Sequence, residues 1–316
     1  MNIGISTIYF SRDIIAKKIS WQEIKNKIFE LGLNCVELNA DIPIDWMSEI
    51  KESVEKKEIR VLSLHNFCPS VENIPKGKYG FNVYSLNSPD ESERKLALKY
   101  TLRTIDYAEL LCANRVVLHS GEILTEPSGY ELYKIALKFG VDSEVFQRYK
   151  NSLIATRNLN KNKYFDLLYS SLDEIVKYAQ IKKVKLAIET RFFPDEIPNF
   201  EEIGEIIKHY DEKIFYWHDF GHVEIEKRLG FCCGHMEYFR KYKKYLLGYH
   251  IHNVKGLEDH FVPNNGEINL EELIEYSEDK VYILEIHSKE NFDKLKEAVK
   301  FVKFLLKEEI KYERIS

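Results

Sequence analysis

Short runs of β-branched and aromatic residues alternate along this chain with longer stretches in which apolar side chains recur every three or four positions. The first kind reads as buried strands and the second as amphipathic helices. Strands are expected at Asn2–Ile8, Cys35–Asn39, Arg60–His65, Arg115–His119, Lys185–Glu189, Ile214–Asp219, Gly248–His252 and Val281–Ile286. Helices are expected near Trp21–Leu31, Asp45–Lys56, Asp90–Leu111, Tyr164–Gln180, Phe200–His209, Met236–Tyr245, Leu270–Glu275 and Asn291–Leu306. Such alternation predicts a parallel sheet with right-handed crossovers, and about eight units is the number that closes a TIM barrel. Two segments exceed ordinary connections. Asn66–Pro89 is rich in Pro, Gly, Asn and Ser, and Gly121–Lys163 reads as a helical insertion containing Tyr130–Phe139 and Ser143–Tyr149. Both follow strand ends on the face where barrel active sites are built, and long loops there usually cover a site. The expectation is an α/β fold, a (β/α)8 TIM barrel, as one domain over residues 1–316 with a helical insertion after strand 4 at about 122–163.

The strand ends share a chemistry. They read Leu64-His65-Asn66, Leu118-His119-Ser120-Gly121-Glu122, Ile188-Glu189-Thr190-Arg191, His218-Asp219-Phe220-Gly221-His222, His250-Ile251-His252-Asn253 and Leu284-Glu285-Ile286-His287. In a barrel these residues converge on one basin at the C-terminal mouth. Asp219 and His222 stand three residues apart, and Gly221 between them is expected to let the backbone bend so that both side chains face one point. An Asp capping the next helix and a His satisfied by a carbonyl would read the same way. The number of strands ending like this favours a divalent metal, because so many buried carboxylates and imidazoles would be costly without a cation.

Composition narrows the setting. With 316 residues and 44% hydrophobic content the chain can bury a large core, and a formal net charge of −5 provides no global positive field. A nucleic-acid partner is disfavoured only weakly, since a local basic groove can coexist with an acidic total. No run approaches the roughly 18 apolar residues of a membrane span, and Met1–Ser6 reads as a first strand instead of a leader. A soluble, cytoplasmic protein with no membrane partner is expected, and a homo-oligomer is compatible with the sequence. Cys35, Cys68, Cys112, Cys232 and Cys233 lack a Cys-x-x-Cys spacing and read as reduced, structural residues.

Taken in order, Ser88-Pro89-Asp90 with Arg94, Arg115–Gly121, Ile188-Glu189, Asp219–His222, His250–Asn253, Glu258-Asp259-His260, Gly266-Glu267-Ile268 and Leu284-Glu285 resemble the xylose isomerase-like TIM barrels. That superfamily includes ketose 3-epimerases, hydroxypyruvate isomerases, inosose dehydratases and type IV abasic-site endonucleases. The resemblance implies a metal held by Glu189, Asp219, His250 and Glu285, with His65, His119, His222, Glu258 and His260 as further ligands if the centre is polynuclear. The His-Ile-x-Asn frame favours His250 over His252, which becomes a supporting or core histidine. Glu258 stands where the endonuclease branch has Asp, and Asp259 sits beside it.

The activity so implied is a sugar or sugar-phosphate isomerase or epimerase using Mn, Co, Zn or Mg. Its metal would bind the carbonyl and hydroxyl oxygens of a keto-sugar and stabilise an enediolate. Glu189 and Glu285 would be catalytic, moving a proton on two faces of the substrate. His65, His222, Arg191 and Trp217 would contact a small carbohydrate substrate, with Phe67 and Phe220 beside Trp217 in an apolar floor, although Arg191 reads equally as a structural ion pair. The alternative is a zinc phosphodiesterase acting on abasic-site DNA, which should present basic loops to the backbone. Asn66–Pro89 has Lys76 and Lys78 but also Glu72 and no arginine.

Overall fold

The computed structural model describes residues 2–313 apart from 73, 77, 79, 275 and 276. Within them the strands are β1 (Ile3–Ser6), β2 (Cys35–Leu38), β3 (Arg60–His65), β4 (Arg115–Leu118), β5 (Lys185–Glu189), β6 (Ile214–Asp219), β7 (Leu246–Ile251), β8 (Asn253–Lys255), β9 (Glu258–Phe261) and β10 (Val281–Leu284). The helices are α1 (Ser11–Ile15), α2 (Trp21–Glu30), α3 (Met47–Glu55), α4 (Glu91–Leu110), α5 (Gly129–Phe139), α6 (Glu144–Lys182), α7 (Phe200–His209), α8 (Phe220–Arg228), α9 (His235–Tyr242) and α10 (Phe292–Glu313). Strands β1 to β7 and β10 close into a barrel in which every neighbouring pair is parallel. This is the (β/α)8 TIM barrel that the alternation predicts.

The period of two along each strand explains how the barrel holds both a core and a site. Leu186 and Ile188 face the helices, whereas Ala187 lies inside the barrel and Glu189 follows it two residues on. Trp217 precedes Asp219, Val117 precedes His119 and Ile283 precedes Glu285 in the same way. Apolar side chains thus fill the lower barrel, and a ligand-type side chain crowns each of these strands. Gly248 on β7 is dictated by packing, because a Cβ there would lie 2.6 Å from the ring of Trp217.

Several elements depart from expectation. The stretch from residue 144 to 182 contains neither Gly nor Pro, so the second helix of the insertion continues unbroken into the crossover helix as α6. Residues 150–163, between the expected stretches Ser143–Tyr149 and Tyr164–Gln180, are part of this one helix. Asp219 caps α8 and Phe220-Gly221-His222 opens it, the helix-cap alternative that the sequence leaves open. The hairpin β8–β9 is read as loop, and the expected helix Leu270–Glu275 is a 3-10 turn at Leu270–Glu272, with Glu275 outside the described residues. Asn73, Gly77 and Tyr79 of the long Asn66–Pro89 segment also lie outside them.

All five cysteines are free. Cys35 and Cys68 are buried, whereas Cys112 is exposed at the end of α4 with a left-handed backbone. Burial pushes the Cys68 thiol up, which leaves it a poor nucleophile. No helix among the described residues is long and apolar enough to cross a membrane.

Candidate metal centre

Four buried side chains meet at the C-terminal mouth. Glu189, Asp219, His250 and Glu285 each offer a ligand atom within 4.8 Å of the others, and none is more than 3% exposed. His250 is the hub. Its Nδ1 lies 2.6 Å from Glu189 Oε1 and 3.1 Å from Glu285 Oε2, and its Nε2 lies 3.1 Å from Glu37 Oε1. Burial drives the His250 imidazole down, but the carboxylates of Glu285, Glu37 and Glu189 outweigh it and hold the ring well above its ordinary value. Burial drives Glu189 up, and the charge of His250, with the hydrogen bond its Nδ1 donates at 2.6 Å, brings it well below. Glu285 and Asp219 follow the same pattern: burial opposes ionisation, while His250 for the first and His222 and His252 for the second keep the carboxyls ionised.

Glu37 is absent from the expected ligands and fully buried on β2, where Ser63 Oγ donates to it at 2.8 Å. A lone Glu between Val36 and Leu38 was the available signal. With it, four carboxylates share a space in which histidines supply most of the positive charge, a costly arrangement that a divalent cation would relieve. Oxygen donors joined by an imidazole are a ligand set that suits such an ion, so the residues fit the group they are expected to hold.

The outer histidines divide by what their second nitrogen does, with tautomers assigned from the hydrogen bonds. His65 Nδ1 donates to Asn66 O at 3.2 Å, His119 Nδ1 to Asn82 Oδ1 at 3.1 Å and His222 Nδ1 to Thr190 O at 2.9 Å. Each therefore presents an Nε2 lone pair to the basin. His252 differs. Its Nδ1 accepts the His260 backbone N–H at 3.0 Å, so Nε2 carries the proton and donates to Asp219 Oδ1 at 2.9 Å. His252 can close a cluster with His222 and His260 by distance, but this tautomer makes it a support for Asp219, not a ligand.

Asp219 has two duties. Its Oδ1 accepts the His222 backbone N–H at 2.7 Å and so caps α8, and the same carboxylate belongs to the buried four. Gly221 corrects the expected reason for a glycine. Its φ lies outside the left-handed range, and what excludes a side chain is His252, whose Cε1 would stand 1.9 Å from a Cβ.

Glu258 and Trp217 need correction. Glu258 is exposed and pairs with Lys289 at 2.8 Å, because adjacent residues of β9 point to opposite faces. The acid that faces the basin is Asp259, 3.0 Å from His260 Nδ1 and 3.9 Å from His222 Nε2. His260, with a left-handed backbone at φ 58°, is pushed up to about 10 by Asp259 against its burial. Trp217 is completely buried beneath His250, ring centroids 5.2 Å apart, and supports the hub from inside the barrel without lining the basin. Phe67 and Phe220 are likewise core residues.

Above the four lies a cavity of about 740 Å³. Its upper wall is aromatic, with Phe192 and Phe193 from the loop after β5 and Tyr130 and Tyr133 from α5. Tyr133 Oη donates to Leu257 O at 3.1 Å, which ties the insertion to the β8–β9 turn across the mouth. His287, stacked on His260 at 3.7 Å, also lines it, and burial lowers this imidazole to about 3. Arg191 is the one cationic Lys or Arg among the described lining residues.

A parallel barrel crowned by buried carboxylates and histidines defines a class of barrel proteins with a candidate metal centre. The xylose isomerase-like TIM barrel family matches residues 26–305, and the chain belongs to it. A protein of Methanocaldococcus jannaschii is 22% identical across 96% of this chain and 98% of its own. Among solved structures, a D-tagatose 3-epimerase-like protein superimposes with a TM-score of 0.64 at 20% identity, covering 100% of both chains. D-psicose 3-epimerase from Clostridium cellulolyticum H10, solved with D-tagatose, does so with a TM-score of 0.66 at 15% identity, covering 97% of this chain and 99% of that one. At these identities the structural likeness speaks for the fold.

Proposed function

We propose that this protein is a divalent-metal-dependent isomerase or epimerase of a keto-sugar or keto-sugar phosphate. One observation carries the reading: Glu189 and Glu285, from separate strands, flank His250 within one buried set of four and border the cavity at the barrel mouth. Glu189, Asp219, His250 and Glu285 would hold the ion. When bound, it would polarise the substrate's carbonyl and acidify the neighbouring C–H. Glu189 and Glu285 are both kept ionised, so either can take that proton, and their placement on different strands suits removal on one face and return on the other. His222 Nε2 would accept a hydrogen bond from a substrate hydroxyl, and the aromatic wall would shield the reacting carbon. The epimerase names among the structural neighbours agree with this reading.

An abasic-site phosphodiesterase is the second reading, favoured by the additional histidines His65, His119, His222 and His260 that face the basin. It ranks lower because Arg191 is the sole Lys or Arg among the described residues lining the cavity and the mouth is walled with aromatics, whereas a DNA backbone asks for several cations. The two separate in one assay. Metal-loaded protein incubated with a panel of ketopentoses, ketohexoses and their phosphates should generate an isomer or C-3 epimer, and abasic-site DNA should stay intact. Nicked DNA with an unchanged sugar panel would overturn the proposal.

A further inference from the structure

Arg191 stands at a point that the surrounding donors reserve for a cation. Around Glu189 Oε2, the Nε2 atoms of His65 and His119 lie at 3.3 and 2.8 Å. Both rings already donate through Nδ1, so two imidazole lone pairs and a carboxylate oxygen face one another. By distance, His65, His119 and Glu189 form a potential metal position of their own. The guanidinium of Arg191 already serves it. Nη1 lies 2.6 Å from His119 Nε2 and 3.2 Å from Glu189 Oε2, and the other edge, Nε and Nη2, binds Glu196 Oε1 at 3.1 and 2.6 Å. Glu196 is itself fixed, since Oε2 accepts the Phe193 backbone N–H at 2.8 Å.

The geometry points to Arg191 as a built-in cation that keeps metal out of the His65–His119–Glu189 position. A guanidinium stays charged at any working pH, so this neutralisation persists whatever the metal supply. A divalent ion bound to the same lone pairs would have to displace Nη1 and face an immobile like charge at close range. The four-residue set beside it keeps its own ligands, with only Glu189 shared. The inference rests on the reading that the four-residue set holds metal, and it adds that the neighbouring position does not.

Metal content tests this independently of activity. Wild type, His119→Ala, Arg191→Met and the double variant are loaded with excess Zn²⁺, passed through gel filtration and analysed by mass spectrometry for zinc per chain. His119→Ala should hold as much zinc as wild type. Arg191→Met should gain one equivalent, and the double variant should lose that gain. Loss of one equivalent in His119→Ala alone would overturn the inference, as would no gain in Arg191→Met with a native circular-dichroism spectrum. If Arg191→Met does not fold, His119→Ala decides the matter alone. A wild type that binds no metal would sink the function proposed above while leaving the Arg191 comparison to be read as before.

Discussion

Gly221→Ala should be destabilising although it replaces a helical glycine. The substitution places a methyl 1.9 Å from His252 Cε1 and 2.5 Å from Nδ1, whereas carbon atoms rest at about 3.5–4.0 Å. The ring must therefore retreat by roughly 1.5–2 Å. It is held on both edges, donating to Asp219 at 2.9 Å and accepting from the His260 N–H at 3.0 Å, and the His260 ring stacks on it at 4.2 Å. Each buried hydrogen bond broken costs about 1–3 kcal/mol, and overpacking costs about 1–3 kcal/mol. Alanine's better helix propensity returns only about 0.5–1 kcal/mol. The losses win, for a net cost of about 2–5 kcal/mol. Denaturant titration of apo protein measures the difference, and metal affinity should fall with it because Asp219 loses its orienting partner. A neutral or stabilised Gly221→Ala would refute the close approach of His252 to α8.

Other consequences lie away from the centre. Arg157 on α6 binds Glu202 on α7 through both Nη atoms at 2.6 and 2.8 Å, and both side chains are buried; Arg157→Met should cost about 3 kcal/mol, because the carboxylate then keeps only the Asn199 N–H at 2.9 Å and Lys161 Nζ at 3.7 Å. Adding Glu202→Met should recover most of that loss in a double-mutant cycle, and additive losses would show the pair to be uncoupled. Burial pushes the Glu226 carboxyl up to about 7 against the hydrogen bond from Tyr238. Its folded-state value is raised, so the protonated form is favoured and stability is lost as pH climbs from the ordinary carboxylate range through about 7. Glu226→Gln should therefore match wild type near pH 4.5 and exceed it by about 3 kcal/mol at pH 8.5, read from urea midpoints; a pH-independent difference would contradict this. Glu189→Gln should remove most of the affinity for Mn²⁺ or Zn²⁺ in calorimetric titration, because a neutral amide replaces a charged oxygen ligand; unchanged affinity would remove Glu189 from the centre.

The barrel was legible because its strands carry two patterns at once. Ala187 and Glu189, or Val117 and His119, lie two residues apart, so the same alternation that marks a strand also points its terminal polar residue into the mouth. What stayed hidden depended on contacts between distant segments. Glu37 reads as one acid in a short strand until Ser63 and His250 are seen on either side of it. Glu258 and Asp259 are adjacent acids, and only the pairing of β9 with β8 decides which turns inward. The single long α6 was missed because Asn158–Lys163 has one apolar residue, the exposed Leu159, and so carries no periodic signal, although it contains no residue that would stop a helix. Gly221 suggested a bend, but its reason for being glycine lies in the ring of His252, thirty-one residues further along the chain.

Proton transfer at carbon is the central claim, and isotope exchange tests it most directly. Keto-sugars incubated with metal-loaded protein in D₂O and followed by proton NMR should take up deuterium at the carbon beside the carbonyl. Uptake should require the metal and fall in Glu285→Gln, whose amide cannot accept the proton on its face of the substrate. Uptake undiminished in Glu285→Gln or persisting after chelation, or no uptake across a broad panel of sugars and sugar phosphates, would contradict the account.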